Sequence, residues 1–165
     1  MGGTFEVIHR GHERLITTAL RLSDQVLIGV TSDELSRRLK KRHYVSPFRQ
    51  RKARLLKYLA ALGAENRTHI AKIDDKFGPP QNRRDFNAIV ATIDTLETAR
   101  RLNRLREKKG LEALDLILVP LVRGQDGKRI STTRILKREI DTRGRVLRTN
   151  PKNWRRLTIS KKLDS

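Results

Sequence analysis

Three things are scarce in this sequence, and each scarcity excludes a class of protein. No cysteine occurs among the 165 residues, which excludes disulfides and thiolate metal sites and predicts a cytoplasmic location. No apolar run approaches the length of about 20 residues that a membrane-spanning helix needs, so we expect no membrane partner. Aromatic residues make up only 4% of the chain, which leaves few surfaces on which single-stranded nucleic acid could stack.

Acidic residues are also scarce, with 18 Asp and Glu against 38 Lys and Arg and a net charge of +20. Such an excess of positive charge attracts polyanions. The basic residues are spread along the chain, so two interpretations stay open. The basic surface and tail bind a polyanion weakly, or the charges are solvated and have no partner.

Apolar patterns in the chain alternate between short strands and amphipathic helices. The spacing predicts strands over 25–31, 68–73, 86–91 and 114–122, and helices over 11–22, 33–41, 47–62, 97–109 and 131–141. This alternation favours an α/β fold with a Rossmann-like, doubly wound parallel sheet. We expect one domain over 1–144, followed by a basic C-terminal tail over 145–165.

A stretch rich in glycine and histidine begins the chain. Gly2 and Gly3 allow the backbone to turn closely past a ligand, and His9 and His12 follow where the first helix begins. Two imidazoles and several backbone amides at a helix N-terminus suit a phosphate group. The alternatives are structural histidines or a metal site, but zinc would need a third ligand, and none is visible.

A second polar cluster, Ser131-Thr132-Thr133, begins the last predicted helix. Hydroxyls at this position serve as an ordinary N-cap, or they bind phosphate together with the helix amides. Both loops would lie beyond the carboxyl ends of neighbouring strands in a parallel sheet, where such sheets bind ligands. The sequence therefore favours phosphate binding at both loops.

These motifs together resemble a known family. Gly-Gly-Thr-Phe at 2–5, His-x-Gly-His at 9–12 and Ile-Ser-Thr-Thr-x-Ile at 130–135 are similar to motifs of the nucleotidyltransferases that share a fold with class I aminoacyl-tRNA synthetases. Within that superfamily the chain most resembles the archaeal type of phosphopantetheine adenylyltransferase. The similarity extends from Gly2 to about Gly144.

The resemblance implies transfer of AMP from ATP to 4′-phosphopantetheine, with Mg²⁺ bound to the nucleotide and no metal site on the protein. It implies that His12 stabilises charge in the transition state beside His9, and that a lysine, Lys40 or preferably Lys41, faces the phosphate of the acceptor. The remaining nucleotide-binding residues implied by the resemblance are Thr4, which would also contact the acceptor, Phe5, Arg106, Ser131, Thr132, Thr133 and Arg134.

Three departures from the family pattern create open questions. Glu6 stands where the family has an aspartate, the segment 91–96 is longer than usual, and the family's first strand would occupy residues before Gly2. We therefore expect that the start of the sequence is assigned too late, so that the sequence lacks this strand. We expect the chain as given to be poorly stable and weakly active. Two alternatives stay open: another nucleotidyltransferase of the same fold, such as a cytidylyltransferase, or a basic nucleic-acid-binding protein.

Overall fold

The computed structural model describes residues 1–39 and 43–147. The strands are β1 (Gly2–Gly3), β2 (Val26–Thr31), β3 (Thr68–Ile73), β4 (Ala88–Ala91) and β5 (Asp115–Leu118). The helices are α1 (Arg10–Leu22), α2 (Asp33–Arg38), α3 (Phe48–Ala61), α4 (Leu96–Lys108) and α5 (Thr132–Leu136), with short 3₁₀ turns at Glu65–Arg67, Pro79–Gln81 and Ile93–Thr95.

The strands are parallel, as the sequence predicts. In one sheet the order is β1-β2-β3, with Gly2 opposite Gly29 and Thr31 opposite Ile73. β4 and β5 pair with each other in a second parallel sheet. Within the described residues, β1 and β4 are not hydrogen-bonded to each other. β1 is only two residues long, and it pairs with β2 alone. The predicted α/β fold with parallel strands is confirmed, and its strands form two separate hydrogen-bonded sheets.

The hydrophobic core surrounds β2. Ile28 and Val30 of this strand are fully buried and pack with Ile16 of α1 and with Leu55 and Leu59 of α3. A strand covered on both sides needs a continuous apolar run, and the sequence of β2 supplies one. The core thus holds the end of β2, and the residues that follow it, in a fixed position.

The ends of several elements differ from the predicted ones. β4 and β5 are shorter than 86–91 and 114–122, and the prediction that the last helix reaches residue 141 is wrong. α5 ends at Leu136 because Arg138 has a φ of +57°, in the left-handed region, where a helix cannot continue. The chain then turns, and Ile140 forms an antiparallel bridge with Val146.

The segment after this bridge marks the limit of the described chain. The Leu147 amide donates to the Glu139 carbonyl over 3.0 Å, and residues 148–165, most of the predicted tail, lie outside the described residues. The predicted domain boundary after residue 144 stays a prediction. No helix in the described ranges is both long enough and apolar enough to cross a membrane.

Candidate active site

The loop between β1 and α1 has an unusual backbone at Phe5. This residue has a φ of +53°, although its side chain is only 3% exposed. Left-handed backbone is unfavourable for a bulky residue and occurs chiefly where surrounding contacts enforce it, often at functional sites. A Cβ on Gly3 would lie 3.1 Å from the Phe5 ring, so the glycine makes room for that ring.

Two stacked histidines occupy the N-terminus of α1. His9 is the N-cap residue, and its Nδ1 accepts a hydrogen bond from the Gly11 amide over 3.1 Å. The rings of His9 and His12 stack with their centroids 4.0 Å apart, and the Phe5 ring lies 4.9 Å from that of His12. Because Nδ1 of His9 accepts this hydrogen bond, the neutral tautomer carries its hydrogen on Nε2, which is left to donate.

Both imidazoles are neutral at physiological pH. Burial lowers the pKa of His9 to about 4, against a smaller opposite effect of its backbone hydrogen bond. Burial also lowers the pKa of His12 to about 3; the neighbouring His9 lowers it further, and the Val7 carbonyl opposes the decrease. Nδ1 of His12 is buried without a hydrogen-bond partner among the described residues. A buried polar atom without a partner is costly and calls for an explanation, such as a catalytic role or a bound water.

Glu6 joins this loop to the segment before α3. Its two carboxylate oxygens accept hydrogen bonds from Ser46, one from the amide over 2.6 Å and one from the hydroxyl over 2.7 Å. Arg54 donates to the same carboxylate over 3.1 Å. The carboxylate is buried and satisfied, so Glu6 is held in place and fixes the loop to Ser46.

Arg51, on α3, is fully buried and lies beneath the same loop. Its guanidinium donates to the carbonyls of Ser46 and Thr4, to the Thr31 hydroxyl and to the carboxylate of Asp33. These acceptors belong to four separate parts of the chain. A single side chain therefore connects the glycine-rich loop, the end of β2, the start of α2 and the segment before α3.

The second predicted phosphate loop caps α5. The Ser131 hydroxyl accepts from the Arg134 amide over 3.4 Å, which is a weak N-cap bond. Arg134 itself pairs with Asp126 and with Glu139, the latter over 3.0 Å from Nε to Oε2. Leu136 at the end of α5 lines a cavity of about 560 Å³ together with Val7 and other residues of the first loop. The C-terminal end of α5 and the first loop therefore line the same cavity.

Comparison with known proteins identifies the family. The model of the family described as Cytidylyltransferase-like matches residues 1–138. The chain is 40% identical over 149 residues to phosphopantetheine adenylyltransferase from Methanosarcina mazei, an alignment that covers 88% of this chain and 94% of that protein. It is 37% identical over 141 residues to phosphopantetheine adenylyltransferase from Methanopyrus kandleri, covering 86% and 88%. This chain belongs to the archaeal phosphopantetheine adenylyltransferases.

A solved structure has a similar fold. A protein of unknown function from Archaeoglobus fulgidus superimposes with a TM-score of 0.63 at 32% identity, covering 72% of this chain and 85% of that one. The resemblance to adenylyltransferases that the sequence motifs indicate is confirmed by the family model and by the curated relatives.

Within this family's fold, the structure brings together part of the predicted site. The His12 ring lies against both the Phe5 ring and the His9 ring, and Thr4 precedes Phe5 in the same loop. Thr132 and Thr133 lie in the first turn of α5 and are half-buried. Lys40 and Lys41 lie outside the described residues, so their expected role at the acceptor phosphate stays a prediction.

Arg106 of α4 has a supporting role in the structure. It is buried, and its guanidinium donates to the carbonyls of Glu112, Arg83 and Pro80, over 2.7 Å and 2.8 Å for the first two. These contacts hold the segment that follows the Pro79–Gln81 turn. A direct contact between Arg106 and a nucleotide stays a prediction.

Neither the hydrogen bonds of Glu6 to Ser46 nor those of Arg51 to its four acceptors were predicted from the sequence. In the sequence, Glu6 is only a departure from the family pattern. A signal for Arg51 is present nonetheless, because it precedes the buried Leu55 and Leu59 by four and eight residues on the same face of α3. A charged residue on an apolar helix face predicts a buried ion pair or hydrogen-bond network. No comparable pattern marks Ser46, whose contacts depend on the tertiary structure.

Proposed function

We propose that this protein transfers AMP from ATP to 4′-phosphopantetheine, giving dephospho-coenzyme A and pyrophosphate, as a cytoplasmic enzyme of coenzyme A synthesis. Family membership supports this reaction. The observation that carries the proposal is the pair of stacked, neutral imidazoles of His9 and His12 at the N-terminus of α1, with one buried ring nitrogen left without a partner.

The reaction would be a direct displacement at phosphorus. An oxygen of the acceptor phosphate forms a bond to the α-phosphorus of ATP, the bond between the α-phosphorus and the bridging oxygen breaks, and pyrophosphate leaves with the electron pair. The protein forms no covalent bond, so positioning and charge stabilisation carry catalysis. His12 would donate a hydrogen bond to the equatorial oxygens of the transition state, with His9 donating from Nε2 beside it.

The backbone around these rings would hold the phosphates. The Phe5 amide and the Thr4 hydroxyl would contact the attacking and α-phosphates, while amides and hydroxyls at Ser131, Thr132 and Thr133 would bind the β- and γ-phosphates at the start of α5. Lys40 or Lys41 would bind the phosphate of the acceptor. Arg134 would have to break its ion pairs with Asp126 and Glu139 before it could bind a phosphate of the nucleotide.

Magnesium fits this site as part of the nucleotide. Among the described residues, no group of three His, Asp or Glu side chains is placed to hold a metal ion. Mg²⁺ that enters on phosphates keeps several waters and needs only one or two protein ligands, so such a cluster is not required. When bound, the ion neutralises charge on the phosphates.

A pyrophosphate-release assay with ATP, Mg²⁺ and 4′-phosphopantetheine tests the proposal. We expect turnover by the wild type and a loss of about 10²- to 10³-fold in kcat for His12→Ala, the size typical of losing one donor to a transition-state oxyanion. His69→Ala is the matched control, because His69 is exposed on β3 and should leave the rate unchanged. An unchanged rate for His12→Ala would contradict the mechanism.

Two further measurements separate the competing reactions. Replacing ATP with CTP should abolish turnover if the enzyme is an adenylyltransferase, whereas faster turnover with CTP would indicate a cytidylyltransferase. A panel of other phosphorylated alcohols as acceptors should give no product, because the proposed acceptor is 4′-phosphopantetheine.

We also propose weak polyanion binding, because one cleft concentrates positive charge. Four arginines and a single glutamate line this arginine cleft, which has a volume of about 620 Å³ and comprises Arg10, Glu13, Arg123, Gly124, Gln125, Arg143 and Arg145. Its floor is closely packed, since the Gln125 amide donates to the Gly144 carbonyl over 2.9 Å and a Cβ on Gly124 would lie 2.7 Å from that oxygen. Guanidinium groups held around such a cleft suit phosphate groups.

The salt dependence of binding to a short DNA duplex of mixed sequence tests this second role. We expect the Kd to rise steeply with salt concentration. The slope of log Kd against log salt concentration should be smaller in the double variant Arg143→Ala/Arg145→Ala. Arg100→Ala/Arg101→Ala removes the same charge from the exposed face of α4 and serves as the control. Equal weakening in both double variants would contradict a role for the arginine cleft and indicate diffuse attraction.

A further inference from the structure

We propose that Arg51 is a positioning residue for the transfer reaction, and that it acts by orienting the peptide between Thr4 and Phe5. This inference rests on the proposed function, because the phosphate contact at that peptide is part of it. Arg51 itself is fully buried and has no access to a ligand, so any effect on the reaction passes through the residues that it binds.

The guanidinium of Arg51 uses all three of its nitrogens. Nε donates to the Ser46 carbonyl over 2.7 Å, Nη1 donates to the Thr4 carbonyl over 2.9 Å and the Thr31 hydroxyl over 3.2 Å, and Nη2 donates to Asp33 Oδ1 over 2.9 Å. Because the guanidinium is planar and rigid, it fixes the directions to these acceptors as well as the distances. A buried cation also needs such partners, so the arrangement resists change.

The bond to the Thr4 carbonyl has a direct consequence for the Phe5 amide. The two groups belong to one planar peptide unit, in which the C=O and the N–H point in opposite directions. Holding the Thr4 oxygen toward α3 therefore directs the Phe5 N–H away from α3. The proposed function assigns this amide to a phosphate. Arg51 sets the direction of the amide by binding the carbonyl on the opposite side of the same peptide.

The backbone at Phe5 needs this support. Its φ of +53° lies in a region that costs a bulky residue of order 1–3 kcal/mol, and such a conformation persists only when neighbouring contacts enforce it. The buried Phe5 ring supplies one such contact, and the bond from Arg51 to the preceding carbonyl supplies another.

Ser46 is held from the same loop by a second residue. Glu6 accepts from the Ser46 amide and hydroxyl, while Arg51 donates to the Ser46 carbonyl. All the polar groups of Ser46 are thus bound either by a residue of the glycine-rich loop or by the arginine that holds that loop. Through Ser46, Arg51 also fixes the distance between the Thr4–Glu6 loop and the segment leading into α3.

Arg51→Lys is the first test, because lysine keeps the positive charge but cannot bind four acceptors in fixed directions. In the pyrophosphate-release assay we expect kcat to fall by about 10²-fold, the size that a displacement of about 1 Å produces. We expect the KM for ATP to change by less than about threefold, because most phosphate contacts remain. Arg49→Lys, an exposed substitution in the same helix, should change neither value.

Thr31→Val provides a milder variant in case Arg51→Lys folds poorly. It removes one acceptor of Nη1 and the partner of the Ser36 hydroxyl but leaves the bond to Thr4, so we expect a smaller fall in kcat and a modest fall in Tm. The proposal is overturned if, in both variants, kcat per folded molecule equals that of the wild type, since Arg51 would then act on stability alone.

Failure of the proposed function would look different, because the wild type itself would release no pyrophosphate. Crystal structures of the wild type and Arg51→Lys then decide the question without activity. We expect the plane of the Thr4–Phe5 peptide to rotate in the variant while Ile28 and Val30 stay in place. An unmoved peptide plane would overturn the positioning role.

Discussion

Gly11, at the residue scale, shows how tightly the two histidines are packed. A Cβ at this position would lie 3.0 Å from Cε1 and 3.1 Å from Nδ1 of His9. Both distances are tighter than ordinary van der Waals contact, so the ring would have to shift by a few tenths of an ångström. The glycine in His-x-Gly-His thus leaves room for the first imidazole, in addition to any contact with a phosphate.

Gly11→Ala should therefore separate activity from stability. We expect the His9 ring to shift by a few tenths of an ångström and kcat to fall by about 10-fold, because the stack with His12 is disturbed. Weakening of the N-cap bond costs up to about 1 kcal/mol, and alanine in place of glycine inside α1 recovers about 1 kcal/mol, so the Tm should change little.

Thermal unfolding and pyrophosphate release, measured on the same samples, check this expectation. Arg14→Ala, an exposed change in the same helix, is the control. Wild-type activity in Gly11→Ala would mean that the position of His9 is unimportant for transfer.

Residue-scale predictions from the sequence succeed where a motif is local. His9, His12 and Phe5 lie within eight residues of one another, so their contact follows from the loop that joins β1 to α1. Arg51 and Glu6 act on partners 40 or more residues away, at Thr4 and Ser46. Such contacts depend on how the helices pack on the sheet, which no short pattern encodes.

At the scale of elements, the positions of helices and strands follow the sequence better than their ends. The apolar run of β2 and the helical spacing of apolar residues in α1 predict both elements to within one residue. α5 ends five residues early because the positive φ of Arg138 reverses the chain, and this local turn lets Arg134 pair with Glu139.

The ion pairs of Arg134 lead to a prediction about α5. The side-chain hydrogen bond from Arg134 holds the pKa of Asp126 below its usual value, so the carboxylate stays ionised and competes with phosphate for the guanidinium. Asp126→Asn should release Arg134 toward the nucleotide and lower the KM for ATP by about 2- to 5-fold, the range expected for an exposed pair.

Steady-state kinetics with varied ATP check this prediction. Asp94→Asn removes an exposed carboxylate that pairs with Arg129 nearby, and it should leave the KM unchanged. An unchanged KM for Asp126→Asn together with a lower Tm would assign Arg134 to holding the loop between Asp126 and Glu139.

At the scale of the whole molecule, the buried histidines make stability depend on pH. Their pKa values in the folded state, about 4 for His9 and about 3 for His12, lie below the ordinary value of 6.5. The unfolded chain therefore takes up protons below about pH 6.5 while the folded chain does not. The contribution of the two histidines to the free energy of unfolding is complete above that pH, and it is lost progressively as the pH falls toward 4.

Chemical denaturation between pH 7 and 4 measures this loss, which can reach about 1.4 kcal/mol per pH unit for each histidine. His12→Gln should flatten the dependence, since glutamine does not titrate. His69→Gln, an exposed change, should leave the slope as in the wild type. An equal slope in all three proteins would assign acid sensitivity to other groups.

The contacts of Arg51 also bear on how the molecule opens. If the end of β2, the start of α2 or the Thr4 loop detached alone, the buried guanidinium would lose an acceptor without reaching water, which is costly. These segments should therefore open together or stay closed. In native-state hydrogen exchange they would form one cooperative unit, with similar opening free energies at amides far apart in the chain.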